Sequence, residues 1–497
     1  MDTKSGPEPQ IFAAPRFMFP YSLVWRPFPL ESFVEKPGLA GAATLGVCRG
    51  IVFRQEFFGS IAYRQYSATE FPYGHITYLD KGACELIARM ERGTTIDKLR
   101  VWAAALGYSE SVLERFVQKG LHLGIFTLGP SNSEQPPRWD IAMWESGETR
   151  LSAPLRLYLN ITERCNMACS HCYASAGKGT RQLNRETLEN LFDQAVALKI
   201  PTIVLIGGEP LMFPDFPGLV AGAVRRGLSV FTNTNGLGLN SARAEQLKTA
   251  GLPIISISLD GPDAATHDSM RGKGRFEKTV KGIRNSFKAG LPVGMSATLT
   301  EKTFNVAGRF VDCGLQLGIK DFHFMVMSPV GRGQNAGDLL IRQESGFKTV
   351  REALWAKQNE YPDITINCTS GIHPVFIKEW RKKFEWNDAA RYVYSGCEAG
   401  RFRMDVSFDG SYIPCVLLNH PSFKVGMAGV DDLGEVWRNS AVMRDFAHRA
   451  QPCEDEECAG CEAVETCKGG CRGVIFAHYG VIGRKDPTCG GVMACHS

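Results

Sequence analysis

The stretch that decides the fold is Cys165-Asn-Met-Ala-Cys169-Ser-His-Cys172, which places three thiols on one short loop after an apolar, β-rich run. Three residues separate the first two cysteines, two separate the second pair, and no fourth cysteine completes the group. A structural zinc site closes with four ligands, whereas three cysteines suit a cube of four irons with one iron open to another ligand. A zinc knuckle that borrows a distant fourth ligand is the alternative.

Around this loop, residues 151–345 alternate β-rich runs with amphipathic stretches, including predicted helices at 185–198 and 276–289. Six strand–helix units predict a parallel sheet, and such sheets present functional groups at the carboxyl ends of their strands. The predicted strands are 155–160, 202–206, 228–234, 254–259, 293–299 and 321–327.

The cysteine loop resembles that of the radical S-adenosylmethionine (SAM) superfamily. Gly207-Gly-Glu-Pro210, after the second predicted strand, resembles the motif with which that family binds the amino group of SAM. The resemblance implies a partial (β/α)6 barrel and a [4Fe-4S] cluster on Cys165, Cys169 and Cys172. It further implies that the open iron binds the methionine end of SAM, and that a 5′-deoxyadenosyl radical then takes a hydrogen atom from the substrate.

Residues at the strand ends are the candidates for contact with SAM. Glycines let a backbone approach a ligand closely, and a glutamate offers a carboxylate to an ammonium. Two motifs of the family, Arg271-Gly-Lys-Gly and Pro329-Val-Gly-Arg332, carry arginines that either meet a carboxylate or are solvated. The predicted cofactor-binding residues are His171, at the position of the family's aromatic ring against adenine, and Gly207, Gly208, Glu209, Asn233, Ser258 and Asp260.

A second set of cysteines lies in the last fifth of the chain, and its order and spacing resemble the SPASM extension of radical SAM enzymes that act on peptides and proteins. The resemblance implies two auxiliary iron–sulfur clusters, predicted as [4Fe-4S]. By position, the outer cluster would be held by Cys458, Cys461, Cys467 and Cys489, and the inner one by Cys397, Cys415 and Cys471.

Two departures from related enzymes concern the inner cluster. Sulfatase-maturing relatives have a further cysteine before the first of these, but the stretch 388–396 has none. The fourth ligand is therefore left open between Cys368, another spare cysteine such as Cys453 or Cys495, and a donor from the substrate. Those maturases also carry a catalytic aspartate where this chain has Val416, which disfavours their activity here. No catalytic acid or base is assigned.

The region before the barrel divides into three parts. Residues 1–50 form a proline-interrupted arm, interpreted as a packed extension or, alternatively, as a binding segment; residues 129–150 form a linker. Residues 51–128 predict strands, three short helices and a returning strand, a winged-helix-like unit. This unit resembles the recognition element of enzymes that modify ribosomally made peptides (RiPPs), in which a leader peptide adds as a strand to a sheet edge beside the third helix. DNA binding is disfavoured, because the third helix mixes acids with bases.

Composition narrows the classes of function. The 497 residues carry a formal charge of +4 and are 44% hydrophobic, which gives no basic stripe for nucleic acid and no acidic tail. The chain has no membrane-length apolar run and no basic-then-apolar signal peptide. Twelve of the sixteen cysteines fall in two clusters, and without a secretion signal they indicate metal binding in a reducing compartment rather than a disulfide framework. A cytoplasmic enzyme is therefore expected.

The sequence thus predicts an α/β fold: an N-terminal winged-helix-like domain, a partial (β/α)6 radical SAM barrel over 151–345, a bridging region over 346–394 and a SPASM domain over 395–497. The predicted activity is maturation of a precursor peptide that carries a leader, with a thioether or carbon–carbon cross-link as product. Its partners would be that peptide and a flavodoxin- or ferredoxin-type electron donor, but neither nucleic acid nor a membrane. The alternatives are a tetrapyrrole-pathway (heme-type) enzyme, a sulfatase-maturase-like protein oxidase and a non-enzymatic multi-zinc protein.

Overall fold

The structure is a computed structural model, and it describes most of the barrel and parts of the flanking regions. The predicted ligand Cys489, the spare cysteines Cys453 and Cys495, and most of the predicted arm and bridging region lie outside the described residues. The described residues are 11–13, 43–48, 51–64, 76–90, 94–122, 125–129, 149–177, 179–341, 344–369, 396–448, 464–487 and the single positions 138, 140, 143, 144, 146, 458 and 461.

The first part of the chain, residues 11–13 and 43–129, forms what we call the front unit. It contains a four-stranded antiparallel sheet in the order β1-β5-β4-β3, a three-stranded sheet in the order β6-β2-β7, and three helices. The elements are β1 (Ile11–Ala13), β2 (Thr44–Val47), β3 (Ile51–Glu56), β4 (Gly59–Arg64), β5 (Ile76–Asp80), α1 (Lys81–Ala88), β6 (Thr94–Thr95), α2 (Ile96–Ala105), α3 (Glu110–His122) and β7 (Phe126–Leu128).

The three predicted helices and the returning strand of the front unit are confirmed. Asp80 and Thr95 cap α1 and α2, because their side chains accept hydrogen bonds from the exposed amides of the first turn. The three helices and β7 share one apolar core with β2. The front unit starts earlier in the sequence than the predicted residue 51. It includes β2, because β2 pairs with both β6 and β7 in the small sheet.

The second part of the chain forms the barrel. Six parallel strands, β8 to β13, follow one another in the sheet and confirm the six strand–helix units. The elements are β8 (Arg156–Thr162), α4 (Arg185–Ala197), β9 (Thr202–Gly207), α5 (Phe216–Arg225), β10 (Ser229–Thr234), α6 (Ser241–Thr249), β11 (Ile255–Ser258), α7 (Ala264–Arg271), α8 (Arg275–Lys288), β12 (Val293–Leu299), α9 (Ala307–Gln316), β13 (Asp321–Val326), α10 (Glu344–Glu360) and β14 (Thr365–Thr369).

The barrel sheet is wider than predicted, with ten strands in the order β14-β13-β12-β11-β10-β9-β8-β15-β16-β17. β14 falls in the stretch predicted as a bridge, where α10 and β14 add a further strand unit beside β13. On the other side, the described residues of the C-terminal region contribute the rest of the sheet and four short helices. These elements are β15 (Arg403–Val406), β16 (Ser411–Ile413), β17 (Gly426–Met427), α11 (Leu433–Asn439), α12 (Ala441–His448), α13 (Val464–Cys467) and α14 (Arg472–Tyr479).

A buried ion pair fixes the front unit to the base of the barrel. Arg54 of β3 pairs with Glu56 at 2.6 Å and donates to the carbonyl oxygens of Ala153 and Pro154, each at 3.0 Å. Glu56 in turn accepts from the backbone amide of Ser152 at 2.8 Å. Because these backbone partners precede β8, the front unit lies at the amino ends of the barrel strands, opposite the end where β8 enters the cysteine loop. Within the described residues, no helix is long and apolar enough to cross a membrane.

Candidate active site and iron–sulfur sites

The loop that carries Cys165, Cys169 and Cys172 begins at the carboxyl end of β8 and is held from behind by Arg332. The Nε of Arg332 donates to the carbonyl oxygen of Cys169 at 2.8 Å, and its Nη1 donates to that of Ala176 at 2.7 Å. Its own backbone amide donates to the carbonyl oxygen of Cys172 at 2.9 Å. Arg332 therefore positions the loop backbone, and the expectation that it meets a carboxylate or is solvated was wrong.

The glycines at the end of β9 allow this strand to approach the cysteine loop closely. Gly207 has a φ of +144°, and a Cβ added there would lie 2.4 Å from the carbonyl oxygen of Thr162. A Cβ on Gly208 would lie 2.4 Å from the carbonyl oxygen of Arg164, just before the first cysteine. Both positions require glycine, because any side chain would push the loop away from the sheet.

Glu209 follows these glycines and is only 1% exposed. Its carboxylate accepts hydrogen bonds from the Thr234 hydroxyl at 2.6 Å, from the Asn235 amide at 2.8 Å and from the Leu211 amide at 3.1 Å. Burial raises the pKa of Glu209 against the effect of these donors. Among the described residues no cation forms an ion pair with it, so this buried carboxylate fits a ligand that brings an ammonium group.

Asp260, after β11, is fully buried at the centre of a charged network. It contacts the Arg271 guanidinium and the His171 Nε2, the latter at 3.0 Å, and accepts from the Thr298 amide at 2.8 Å. Burial alone would raise the pKa of Asp260, but Arg271 and His171 outweigh it and hold that pKa well below its usual range. The network joins the cysteine loop to β11 and β12, and it confirms that Arg271 meets a carboxylate.

The inner face of the barrel carries a row of neutral polar side chains. Lateral partners in the sheet are Ser258 with Ser296, Ser296 with His323, and His323 with Asn367. Each of these residues is at most 7% exposed. Burial lowers the pKa of His323 to about 3, so this imidazole is neutral at physiological pH. Asn233 lies further along the same face, with its amide oxygen buried and without a hydrogen-bond partner among the described residues.

Three of the C-terminal cysteines meet beside the barrel. Cys415 follows β16, Cys471 directly precedes α14, and Cys397 packs in the same apolar cluster as Cys415. Burial raises the pKa of Cys471, and the neighbouring Cys397, Asp486 and Cys415 raise it further. Thiols that raise one another's pKa in this way are suited to a cationic centre, whose charge would stabilise their thiolates.

The other described cysteines of this region form the second predicted group. The Cys461 amide donates to the carbonyl oxygen of Cys458 at 3.1 Å, and Cys467 lies at the end of α13. None of the thirteen described cysteines forms a disulfide. Within the described residues, no three His, Cys, Asp or Glu side chains are grouped as for a single metal ion. Iron–sulfur cubes differ in this respect, since each cysteine binds a different iron.

Cys368 lies far from the three cysteines that meet beside the barrel. It is on β14, six strands across the sheet from β8, and it packs in the main apolar core with Phe324 and Ile366. Its side chain points to the helices and not to the barrel interior. Within the described part of the chain, Cys368 is therefore a core residue, and the structure does not bring it to the inner group.

This placement predicts that Cys368→Ala leaves the iron content of the anaerobically purified protein unchanged. The variant should lose only about 1 kcal/mol of unfolding free energy, because a small buried group is removed. Cys471→Ala is the matched comparison, since it removes one buried thiol from the inner group and should lower the iron content. Iron loss in Cys368→Ala comparable to that in Cys471→Ala would contradict the assignment.

Comparisons with known proteins agree with this geometry. The model of the Radical SAM superfamily matches residues 159–304, which include the cysteine loop and the ends of β9, β10 and β11. The SPASM model, an iron-sulfur cluster-binding domain, matches residues 397–462.

The chain is a radical SAM enzyme with a C-terminal SPASM domain. The radical SAM domain binds SAM and a [4Fe-4S] cluster, and the SPASM domain binds auxiliary iron–sulfur clusters. The interpretation as a non-enzymatic multi-zinc protein is thereby set aside.

Individual relatives of this radical SAM enzyme differ in activity. The AdoMet-dependent heme synthase of Methanosarcina barkeri is 27% identical over 347 residues, covering 68% of this chain and 97% of that protein. The mycofactocin maturase MftC of Mycolicibacterium smegmatis is 27% identical over 348 residues, covering 69% and 85%. In structure, Streptococcus suis SuiB bound to its precursor peptide SuiA is similar with a TM-score of 0.66 at 18% identity, covering 90% of this chain and 99% of that one.

Several site residues of this radical SAM enzyme are not predicted by the sequence motifs. Thr234, the last residue of β10, and Asn235, which follows it, hydrogen-bond Glu209, but they lie among polar residues that are typical of any turn. Arg403 is another such residue. Its guanidinium pairs with Asp405 at 2.6 Å, and its Cζ lies 3.7 Å from the centroid of the Tyr158 ring, next to Cys415. The sequence feature that could have indicated Arg403 is an Arg-x-Asp pair shortly before a motif cysteine. The spacing of the cysteines alone does not reveal this pair.

Proposed function

We propose that this radical SAM enzyme modifies a ribosomally made precursor peptide, whose leader binds the front unit while its core segment enters the barrel. The observation that carries the proposal is the front unit itself. It offers an antiparallel sheet beside a third helix, the arrangement to which an extended peptide can add as a strand, and it is fixed to the barrel through Arg54.

The extent of the similarities supports a peptide substrate. The heme synthase match leaves about a third of this chain without a counterpart while covering nearly all of that protein. The match to SuiB leaves only about a tenth of this chain uncovered, fewer residues than the front unit contains. A fold that includes at least part of the front unit is therefore shared with a protein seen bound to a precursor peptide.

The barrel interior also favours a peptide over a tetrapyrrole. A tetrapyrrole brings several carboxylates, which need cationic partners when buried. In the described interior, the row from Ser258 to Asn367 is neutral, and the arginines at the β8–β15 edge are already paired, Arg156 with Glu398 and Arg403 with Asp405. Neutral donors and acceptors instead suit the amide groups of a peptide.

The roles of the chain's own residues follow from their positions. Cys165, Cys169 and Cys172 would hold the cluster, Glu209 would accept the SAM ammonium, and His171, Asn233, Ser258 and Asp260 are proposed to line the same ligand. When bound, SAM and its cluster supply the 5′-deoxyadenosyl radical that abstracts hydrogen. Arg332 keeps the cysteine loop in place, and the buried strands around Ser258 exclude water from the reaction.

The C-terminal region is proposed to hold two auxiliary [4Fe-4S] clusters. The inner one would be bound by Cys397, Cys415 and Cys471, beside the barrel wall at Arg403. The outer one would be bound by the remaining four predicted ligands, Cys458, Cys461, Cys467 and Cys489. Clusters held there would supply an acceptor for the electron that the peptide loses when a thioether or carbon–carbon cross-link forms, and a flavodoxin- or ferredoxin-type protein would supply electrons to the enzyme.

A sulfatase-maturase-like oxidation is not favoured. At the position of the maturase base, Val416 contributes only its backbone amide, which donates to Asp405 at 2.8 Å. The Asp405 carboxylate is in turn held by Arg403 on both oxygens. The neighbourhood thus offers no free carboxylate among the described residues to act as a base.

The test is to supply the enzyme, anaerobically and with reductant and SAM, with candidate precursor peptides, including any short peptide encoded beside its gene. We expect 5′-deoxyadenosine together with a peptide that has lost two hydrogens, as cross-linking requires. The same core peptide without its leader is the matched control and should be modified at least about tenfold more slowly. Turnover of an iron tetrapyrrole and none of the peptide would overturn the proposal.

A further inference from the structure

We propose that β1, the chain's own segment Ile11–Ala13, occupies the peptide-binding edge of the front unit, so that an incoming extended peptide must displace it. The inference rests on the proposed function only for the identity of that peptide, a precursor leader. The occupancy itself is a property of this chain, and it can be tested without a precursor.

The first step is the position of β1. It pairs antiparallel with β5, with Ile11 opposite Leu79, Phe12 opposite Tyr78 and Ala13 opposite Thr77. It also lies against α3, the third helix of the unit. The edge of β5 beside α3 is where a strand would be added, and there the described structure has β1.

The second step is that the opposite edge of the same sheet is taken. β3 lies against the barrel and the linker: the Phe53 carbonyl oxygen accepts from Lys199 Nζ at 2.8 Å, and the Gln55 side chain exchanges two hydrogen bonds with the backbone of Asp140. Strand addition to this sheet is therefore directed to β5. β5 itself is held in place by packing, since its residue Leu79 is fully buried in the same apolar core as Phe116 of α3.

The third step is that β1 is short for a reason in the sequence. Pro9 and Pro15 flank it, and proline lacks the N–H that a strand ladder requires. Between these two prolines only five residues, 10–14, have the backbone N–H that a strand ladder requires. The segment is thus extended enough to fill the edge, yet it makes few hydrogen bonds and can be exchanged for a longer strand.

The consequence is competition. A groove that is free a tenth of the time binds an added peptide about ten times more weakly than one that is always free. Because β1 is tethered to the unit, its effective concentration is in the millimolar range even if its intrinsic affinity is low. We expect that only peptides with a higher affinity for the β5 edge than β1 has will displace β1. The front unit would thereby select its partner by affinity.

The test uses a fluorescent synthetic peptide of residues 5–18 and the anaerobic holoenzyme, either full length or lacking residues 1–14. We expect the peptide to bind the shortened chain at least about tenfold more tightly than the full chain, by fluorescence anisotropy. The same peptide with Phe12→Pro is the control and should bind neither chain, since it lacks a ladder amide. Equal affinity for both chains, or no binding to the shortened chain, would overturn the inference.

A second measurement follows the amides of β5 by hydrogen exchange. Their protection should fall when residues 1–14 are removed, and in the full-length Phe12→Pro variant, and it should return when the unsubstituted peptide is added to the shortened chain. Unchanged exchange in β5 would show that β1 does not hold this edge. Neither readout involves a precursor or turnover, so failure of the proposed function would leave these results interpretable.

Discussion

Replacing Cys165, Cys169 and Cys172 together by alanine should abolish SAM cleavage and remove about four irons of the roughly twelve expected for three cubes. The reason is that, in the proposed assignment, these three thiolates hold the cluster, and without the cluster no electron would reach SAM. The fold should survive, because Arg332 holds this loop through backbone carbonyl oxygens, which alanine retains. Iron analysis and 5′-deoxyadenosine formation in anaerobic samples give the two readouts.

The matched control removes the same number of thiols from elsewhere in the chain. Cys48, Cys84 and Cys313 belong to neither cysteine group, and Cys84 is fully buried in the core of the front unit. Their combined replacement by alanine should leave iron content and cleavage intact. Retention of all iron by the first triple variant, or residual cleavage above that of a heat-inactivated sample, would contradict the assignment of the loop.

Asp260→Asn should cost about 3–5 kcal/mol of unfolding free energy, which is typical when one partner of a buried ion pair is removed. The substitution keeps the shape of the side chain but leaves the Arg271 guanidinium buried without its counter-charge. It also weakens the contact that orients His171. Chemical unfolding of the holoenzyme, together with SAM binding measured at equilibrium, would report both effects.

The nearby Asp263→Asn variant is the control, because asparagine is as good a helix cap as aspartate and the Asp263–Arg309 pair is exposed. It should be close to wild type in both assays. A similar unfolding free energy for Asp260→Asn and Asp263→Asn would show that the buried network does not stabilise the barrel.

The pH dependence of the Asp260 effect follows from its depressed pKa. A carboxyl whose pKa is lower in the folded than in the unfolded protein stabilises the fold above the unfolded value, near 4, and loses this contribution as pH falls toward the folded value. The difference in unfolding free energy between wild type and Asp260→Asn should therefore be present above about pH 4 and shrink as the pH falls below that value. A difference that vanishes near neutral pH would show that the charge of the Asp260 carboxylate is not its origin.

Much of this protein could be predicted from the sequence, because the informative features are local. Strands β8 to β13 were predicted to within one or two residues, since burial on both faces gives long apolar runs bounded by turns. The caps at Asp80 and Thr95 depend on neighbours three residues away. The order and spacing of the cysteines predicted the radical SAM and SPASM domains, because a bound cluster requires its ligands at fixed spacings along a short loop.

What only the tertiary structure decided are contacts between residues distant along the chain. Arg332 donates hydrogen bonds to the cysteine loop, which lies more than 150 residues earlier in the chain. The register of β14 places the Cys368 side chain in the apolar core. β1, from the start of the front unit, pairs with the edge of β5. The sequence by itself determined which chemistry the chain can perform and where its strands run. The folded packing decided which arginine, which cysteine and which strand edge serve that chemistry, because these partners are chosen by the folded arrangement and not by spacing along the chain.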